Sequence, residues 1–191
     1  MKNIYKTEPE YRKEIRESAL SNDFAIKPEQ WIKWPINDEM IRVDFILEPK
    51  QHLIDVGFDA TKIAIEVKSP IKKESVKQLL DCMSQAHSYT LCTHENEFID
   101  FIVIYPAIQL FFDYDFEHKY KLDQRSKYHR SEVSILHRVM QRANIGSLEI
   151  TNESYRFSFA GSRFYSPEKG RSKIKNLGMV RRIGSRKKLI K

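Results

Sequence analysis

Residues 62–70 read Lys-Ile-Ala-Ile-Glu-Val-Lys-Ser-Pro, and this stretch constrains the chain more than any other. Its β-branched run is that of a buried strand, and Ser69-Pro70 ends it because a proline cannot continue a ladder. Side chains alternate along a strand, so Ile63, Ile65 and Val67 share one face while Glu66 and Lys68 share the other. An acid and a lysine are thus held side by side at the end of an apolar strand. Upstream, Arg42-Val43-Asp44-Phe45-Ile46-Leu47 sets a second acid inside another apolar strand. Asp44, Glu66 and Lys68 are expected to converge on one metal-dependent site.

The rest of the chain reads as an α/β order. Residues 8–21 have helical spacing (Tyr11, Ile15, Ala19, Leu20), with Thr7 ahead of them and Pro9 in the first turn. Residues 24–38, with Trp31, Trp34, Pro28 and Pro35, read as an irregular packed connection, the tryptophans as packing rather than a base-stacking surface. Strands are expected over 40–47, 52–58, 62–68 and 98–105. The strongest helix spans 73–90, with a stripe of Val76, Leu79, Leu80, Met83 and Ala86. Residues 108–112 suit a further strand or a short buried turn, and 113–130 a loop or insertion. A helix over 131–144 precedes a hairpin of 148–151 and 155–159 around Asn152-Glu153-Ser154.

Charge divides the chain. From Ala160 to Lys191 there are eleven Lys and Arg and a single acid, Glu168, which leaves 22 of the 33 bases and 25 of the 26 acids for residues 1–159. The expectation is one domain over 1–159 and a basic tail over 160–191. Such a tail on a near-neutral domain suits a polyanion, with Arg163, Arg171, Lys173, Arg181 and Arg182 as phosphate contacts. Cys82 and Cys92 lack CxxC spacing, and no HxH or HExxH places a zinc ion. No Gly-rich phosphate loop and no GxSxG is present. With neither an apolar leader nor a membrane-length run, the chain reads as a soluble cytoplasmic protein.

Hydrolysis of a phosphodiester requires an activated water and neutralisation of charge on the phosphate. Carboxylates holding Mg2+ or Mn2+ supply both, and a lysine orients the water or stabilises the phosphorus centre. Asp44 and Glu66 are suitable hard ligands, and the carbonyl of Val67 lies between Glu66 and Lys68. In Asp44 with Glu66-Val67-Lys68 the chain resembles the PD-(D/E)XK nuclease superfamily. Gln85-Ala86-His87-Ser88-Tyr89 is similar to the Q-x-x-x-Y motif of RecB-type exonucleases.

The resemblance implies a restriction-endonuclease-like core, a mixed central sheet flanked by helices, with Asp44 and Glu66 as metal ligands and Lys68 as catalytic lysine. It further implies Gln85 near metal or phosphate, Tyr89 on the DNA backbone, and an acid of the first helix, Glu17 in preference to Glu14, completing the site. Lys72 and Lys73 follow the lysine strand as further phosphate contacts. Asp55 competes with Asp44 as the upstream ligand. The expected activity is DNA cleavage in recombination, repair or mobile-element metabolism, with RNA as another substrate. DNA is the expected partner, with a homodimer or a larger DNA-processing complex as the expected assembly and no membrane association. A nuclease-like fold that binds nucleic acid without cutting is the alternative.

Overall fold

A computed structural model describes residues 5–55, 58, 62–71, 75–99, 101–115, 135–140, 142–143, 145–159, 162–166 and 170–171. Its elements are helices α1 (Glu8–Glu17), α2 (Leu20–Asp23), α3 (Gln51–Asp55), α4 (Ser75–Tyr89) and α5 (Gln109–Asp115). The strands are β1 (Phe24–Lys33), β2 (Met40–Pro49), β3 (Ile63–Val67), β4 (Thr93–His94), β5 (Glu97–Phe98) and β6 (Phe101–Tyr105). They continue with β7 (Ile145–Ile150), β8 (Tyr155–Phe159), β9 (Ser162–Ser166) and β10 (Gly170–Arg171). A further helical stretch covers 135–140.

All ten strands join one mixed sheet in the order β10-β9-β8-β7-β6-β3-β2-β1-β4-β5. The centre, β3-β6-β7, is parallel, and antiparallel strands extend it on both sides. β3 and β6 are buried at every position, as parallel strands covered on both faces must be. One face packs Phe45, Leu47, Ile65, Val67, Val103 and Tyr105 against Tyr11 and Ile15 of α1. The opposite face packs Val43, Ala64, Ile102 and Ile104 against Leu79, Cys82, Met83, Ala86 and Tyr89 of α4 and Phe111 and Phe112 of α5. This is the mixed sheet flanked by helices that the sequence led us to expect. Among the described residues no helix is long and apolar enough to cross a membrane.

Local chemistry explains the elements that carry the site. α1 starts at Thr7, whose N–H donates to Glu10 Oε2 at 2.7 Å, and Pro9 occupies its first turn. α4 buries Leu79, Cys82, Met83, Ala86 and Tyr89, a stripe at intervals of three and four, whereas Leu80 is exposed.

Four expectations are corrected. Residues 24–33 are a full strand, β1, paired with β2 from Phe24↔Pro49 to Lys33↔Met40, and Trp31 is more than half exposed. Pro28 is accommodated, and the next residue, Glu29, takes a positive φ of 50°, a kink that interrupts the period-two pattern. Residues 51–55 form helix α3 rather than a strand, with only Leu53 buried among them. Residues 109–115 are helical. The sheet also continues past residue 159 through β9 and β10, so its edge lies inside the stretch read as a tail.

Candidate active site

The antiparallel register of β2 and β3 (Leu47↔Ile63, Ile46↔Ala64, Phe45↔Ile65) carries one step further to set Asp44 opposite Glu66. There the backbone ladder stops, and the Asp44 side chain takes its place: Oδ2 accepts the Val67 N–H at 2.8 Å. Asp44 Oδ1 accepts from Arg12 Nη2 at 2.5 Å, so α1 and β2 meet in an ion pair. Arg12 also reaches Glu29, with Nη1 3.4 Å from Oε1, beside the kink in β1.

Glu66 is 2% exposed. Its Oε1 lies 2.9 Å from Lys68 Nζ, and its Oε2 accepts from the Tyr89 hydroxyl at 3.0 Å. Burial, and next the negative charge of Asp44, push the Glu66 carboxyl up to about 6, although Lys68 and Tyr89 pull the other way. Burial works against the Lys68 ammonium, but its charge and hydrogen-bond pairing with Glu66 outweigh that, and its pKa rises. Burial, followed by Glu66, raises the Tyr89 phenol as well, so Tyr89 stays a proton donor. Cys82, fully buried, is shifted well up by burial and then by Glu66, which leaves it an inert thiol behind the acids.

The structure brings together Asp44, Glu66, Val67, Lys68 and Gln85, the last through Tyr89, whose hydroxyl accepts from Gln85 Nε2. Tyr89 itself is fully buried, so its partner is Glu66 and not a DNA backbone. Glu17 is solvated and paired with Lys13 at 3.8 Å, outside these contacts. Glu14 faces the sheet, accepting from the Tyr105 hydroxyl at 2.6 Å and from Lys6 at 2.7 Å. Asp55 is exposed and accepts from Gln51 at 2.8 Å, whereas Asp44 faces Glu66.

Lys72, Lys73, Lys173, Arg181 and Arg182 lie outside the described residues. Arg163 and Arg171 fall in β9 and β10, where only the backbone is described.

Two partners escaped the sequence reading. Arg12 is one; Glu8, half-buried in the first turn of α1, is the other, and its charge acts on Lys68. They stand four apart, which places them on one helix face; that spacing was the available signal.

As a donor set, Asp44 and Glu66 fit a hard divalent cation. They are one buried and one half-buried carboxylate of like charge, and after burial it is the charge of Asp44 that raises the Glu66 pKa. Another group, Glu48, His94 and Glu95, has ligand atoms within 4.8 Å of one another. A protein cation already serves it. Lys62 Nζ lies 2.6 Å from Glu95, 3.2 Å from His94 Nδ1 and 3.7 Å from Glu48. We read that group as a structural ion cluster. A cavity of about 220 Å³ beside β7 and β8 is lined by His137, Ser147, Glu149, Arg156 and Ser158 and includes none of the acids described above.

Comparison with protein-family models, with curated proteins and with solved structures gave no match, so the site stands on its own chemistry.

Proposed function

We propose that the chain is a metal-dependent nuclease with a PD-(D/E)XK-like core, hydrolysing phosphodiester bonds in DNA. One observation carries this reading: Asp44 accepts the Val67 N–H at 2.8 Å, close enough for its charge to act on Glu66, and Lys68 lies 2.9 Å from Glu66. Asp44 and Glu66 hold Mg2+ or Mn2+ through carboxylate oxygens, with the carbonyl of Val67 as the further oxygen donor. When bound, the ion neutralises phosphate charge and acidifies a water.

The chain's own groups do the rest. Tyr89 and Gln85 fix the Glu66 carboxylate from behind. Lys68 offers its ammonium to the attacking water or to a non-bridging phosphate oxygen. Arg12, on α1, balances the charge of Asp44, the role a bound cation would otherwise fill there. The basic segment beyond residue 160 adds affinity without reading sequence. Buried Cys82 and Cys92, both free thiols, accord with a cytoplasmic protein.

The Arg12–Asp44 ion pair also favours a second reading, in which a protein cation permanently takes the metal's place and the fold binds nucleic acid without cutting. Incubation with circular and linear DNA, single- and double-stranded, and with RNA, in Mg2+ or Mn2+ separates the two. The nuclease reading expects EDTA-sensitive cleavage of at least one DNA. EDTA-insensitive binding with no cleavage of any substrate favours the second.

A further inference from the structure

Opposite α4, the far half of the β1–β2 hairpin presents side chains that no element among the described residues covers. Ile32 pairs with Ile41, and both turn towards the α4 core. Their neighbours therefore turn the other way: Trp31 pairs with Arg42, and Lys33 with Met40. The row continues through Lys33↔Thr93 and Thr93↔Phe98. Trp31 is 57% exposed, Met40 50% and Phe98 58%, an unusual outlay of apolar surface towards the β5 end of the sheet.

We propose that this face is a stacking platform for unpaired bases of single-stranded nucleic acid, with Trp31, Met40 and Phe98 as apolar supports and Lys33 and Arg42 as phosphate contacts. Every base has a π-face, so an exposed indole beside cations binds strands without regard to sequence. The Met40-Lys33-Thr93-Phe98 row spans three strand spacings, roughly 14 Å, enough for more than one base. Each of these cations has an acid beside it, in exposed pairs that water and salt screen. Glu29 stands 4.0 Å from Arg42, and the Lys33–Asp38 pair at 2.7 Å is half in water.

Position supports the assignment. Arg42 precedes Asp44 by two residues on β2, and its carbonyl lies 3.4 Å from the Tyr89 hydroxyl, whose one proton goes to Glu66. Platform and carboxylates are thus tied to one frame. The inference deepens the nuclease reading by naming its substrate as a strand with unpaired bases at the site, and it rests on that reading only for what is cut.

The test is made in EDTA, where no cleavage enters. The chain has two tryptophans, so Trp34→Phe leaves Trp31 as the sole indole. Oligothymidylate is expected to quench its fluorescence saturably. Fluorescence anisotropy of labelled oligothymidylate, with the otherwise unaltered full chain, is expected to show about tenfold weaker binding by Trp31→Ala and recovery by Trp31→Phe. This second measurement decides the matter even if Trp34→Phe fails to fold. Absence of quenching in a folded Trp34→Phe chain, or equal binding by Trp31→Ala and wild type, overturns the platform. So does sedimentation in which the wild type is a dimer and Trp31→Ala a monomer, since the face then meets a second copy. A chain that stacks oligothymidylate but cuts nothing keeps the platform and loses the nuclease; one that cuts with Trp31 silent does the reverse.

Discussion

Tyr89 holds Glu66 from behind, its buried hydroxyl 3.0 Å from Oε2 while it accepts from Gln85. Two side chains of α4 thereby fix one carboxylate of β3, whose other oxygen is left to Lys68. Tyr89→Phe removes the only hydroxyl in this chain of contacts and leaves Gln85 and Glu66 each short of a partner. A stability loss of about 1–3 kcal/mol is expected in urea unfolding. The acid limb of the pH–rate profile should also move to higher pH, because a hydrogen bond that favours the ionised carboxylate is gone. An unmoved limb would show that Tyr89 does not hold the reacting acid.

The raised Glu66 pKa links folding to pH. Its carboxyl titrates at about 6 in the folded chain against 4.5 when exposed, so folding takes up a proton between these values. The stability contributed is fully present below 4.5 and lost as pH rises through 6, by about 2 kcal/mol. Urea unfolding in EDTA at pH 4 and pH 7 checks this. Relative to Glu66→Gln, the wild type should lose about that amount across the interval; parallel behaviour of the two proteins contradicts it.

On the nuclease reading, Arg12 and a divalent cation would compete for Asp44. Arg12→Ala leaves Asp44 without its partly buried partner, and a loss of about 1–3 kcal/mol is expected in EDTA. Mn2+ should then restore stability, raising Tm more in Arg12→Ala than in wild type, because only ligands bound by the folded state stabilise it. Equal Tm shifts in the two proteins would place the ion away from Asp44.

Lys62 tests the reading of the second cluster. It is 10% exposed and lies within 4.0 Å of Glu48, Glu95 and Glu97. Glu95 and Glu97 are largely in water, so Lys62→Met should cost only about 1 kcal/mol in thermal or urea unfolding. Divalent cations should leave the wild-type cluster untouched, which NMR of the His94 ring would register as unchanged shifts during a Zn2+ titration.

Much of this architecture was legible in the residues. The apolar runs behind β2, β3 and β6, the stripe of α4 and the β7–β8 hairpin announced themselves through period and turn chemistry, because both faces or one full face are buried. β1 did not, since Pro28, the kink at Glu29 and the exposed Trp31 erase its alternation. α3 and α5 misled because short apolar runs carry no period long enough to separate helix from strand. At the site, Asp44, Glu66 and Lys68 were readable from strand chemistry. Arg12 was not, because its partner lies 32 residues away and only the packing of α1 on the sheet brings them together.

The most direct measurement is DNA cleavage in Mn2+ by wild type, Lys68→Ala and Glu66→Gln, with binding to the same DNA followed in EDTA. The nuclease reading expects cleavage by wild type, at least about 100-fold less by either variant, and DNA binding in EDTA within a few-fold for all three. Cleavage by both variants at the wild-type rate would contradict it.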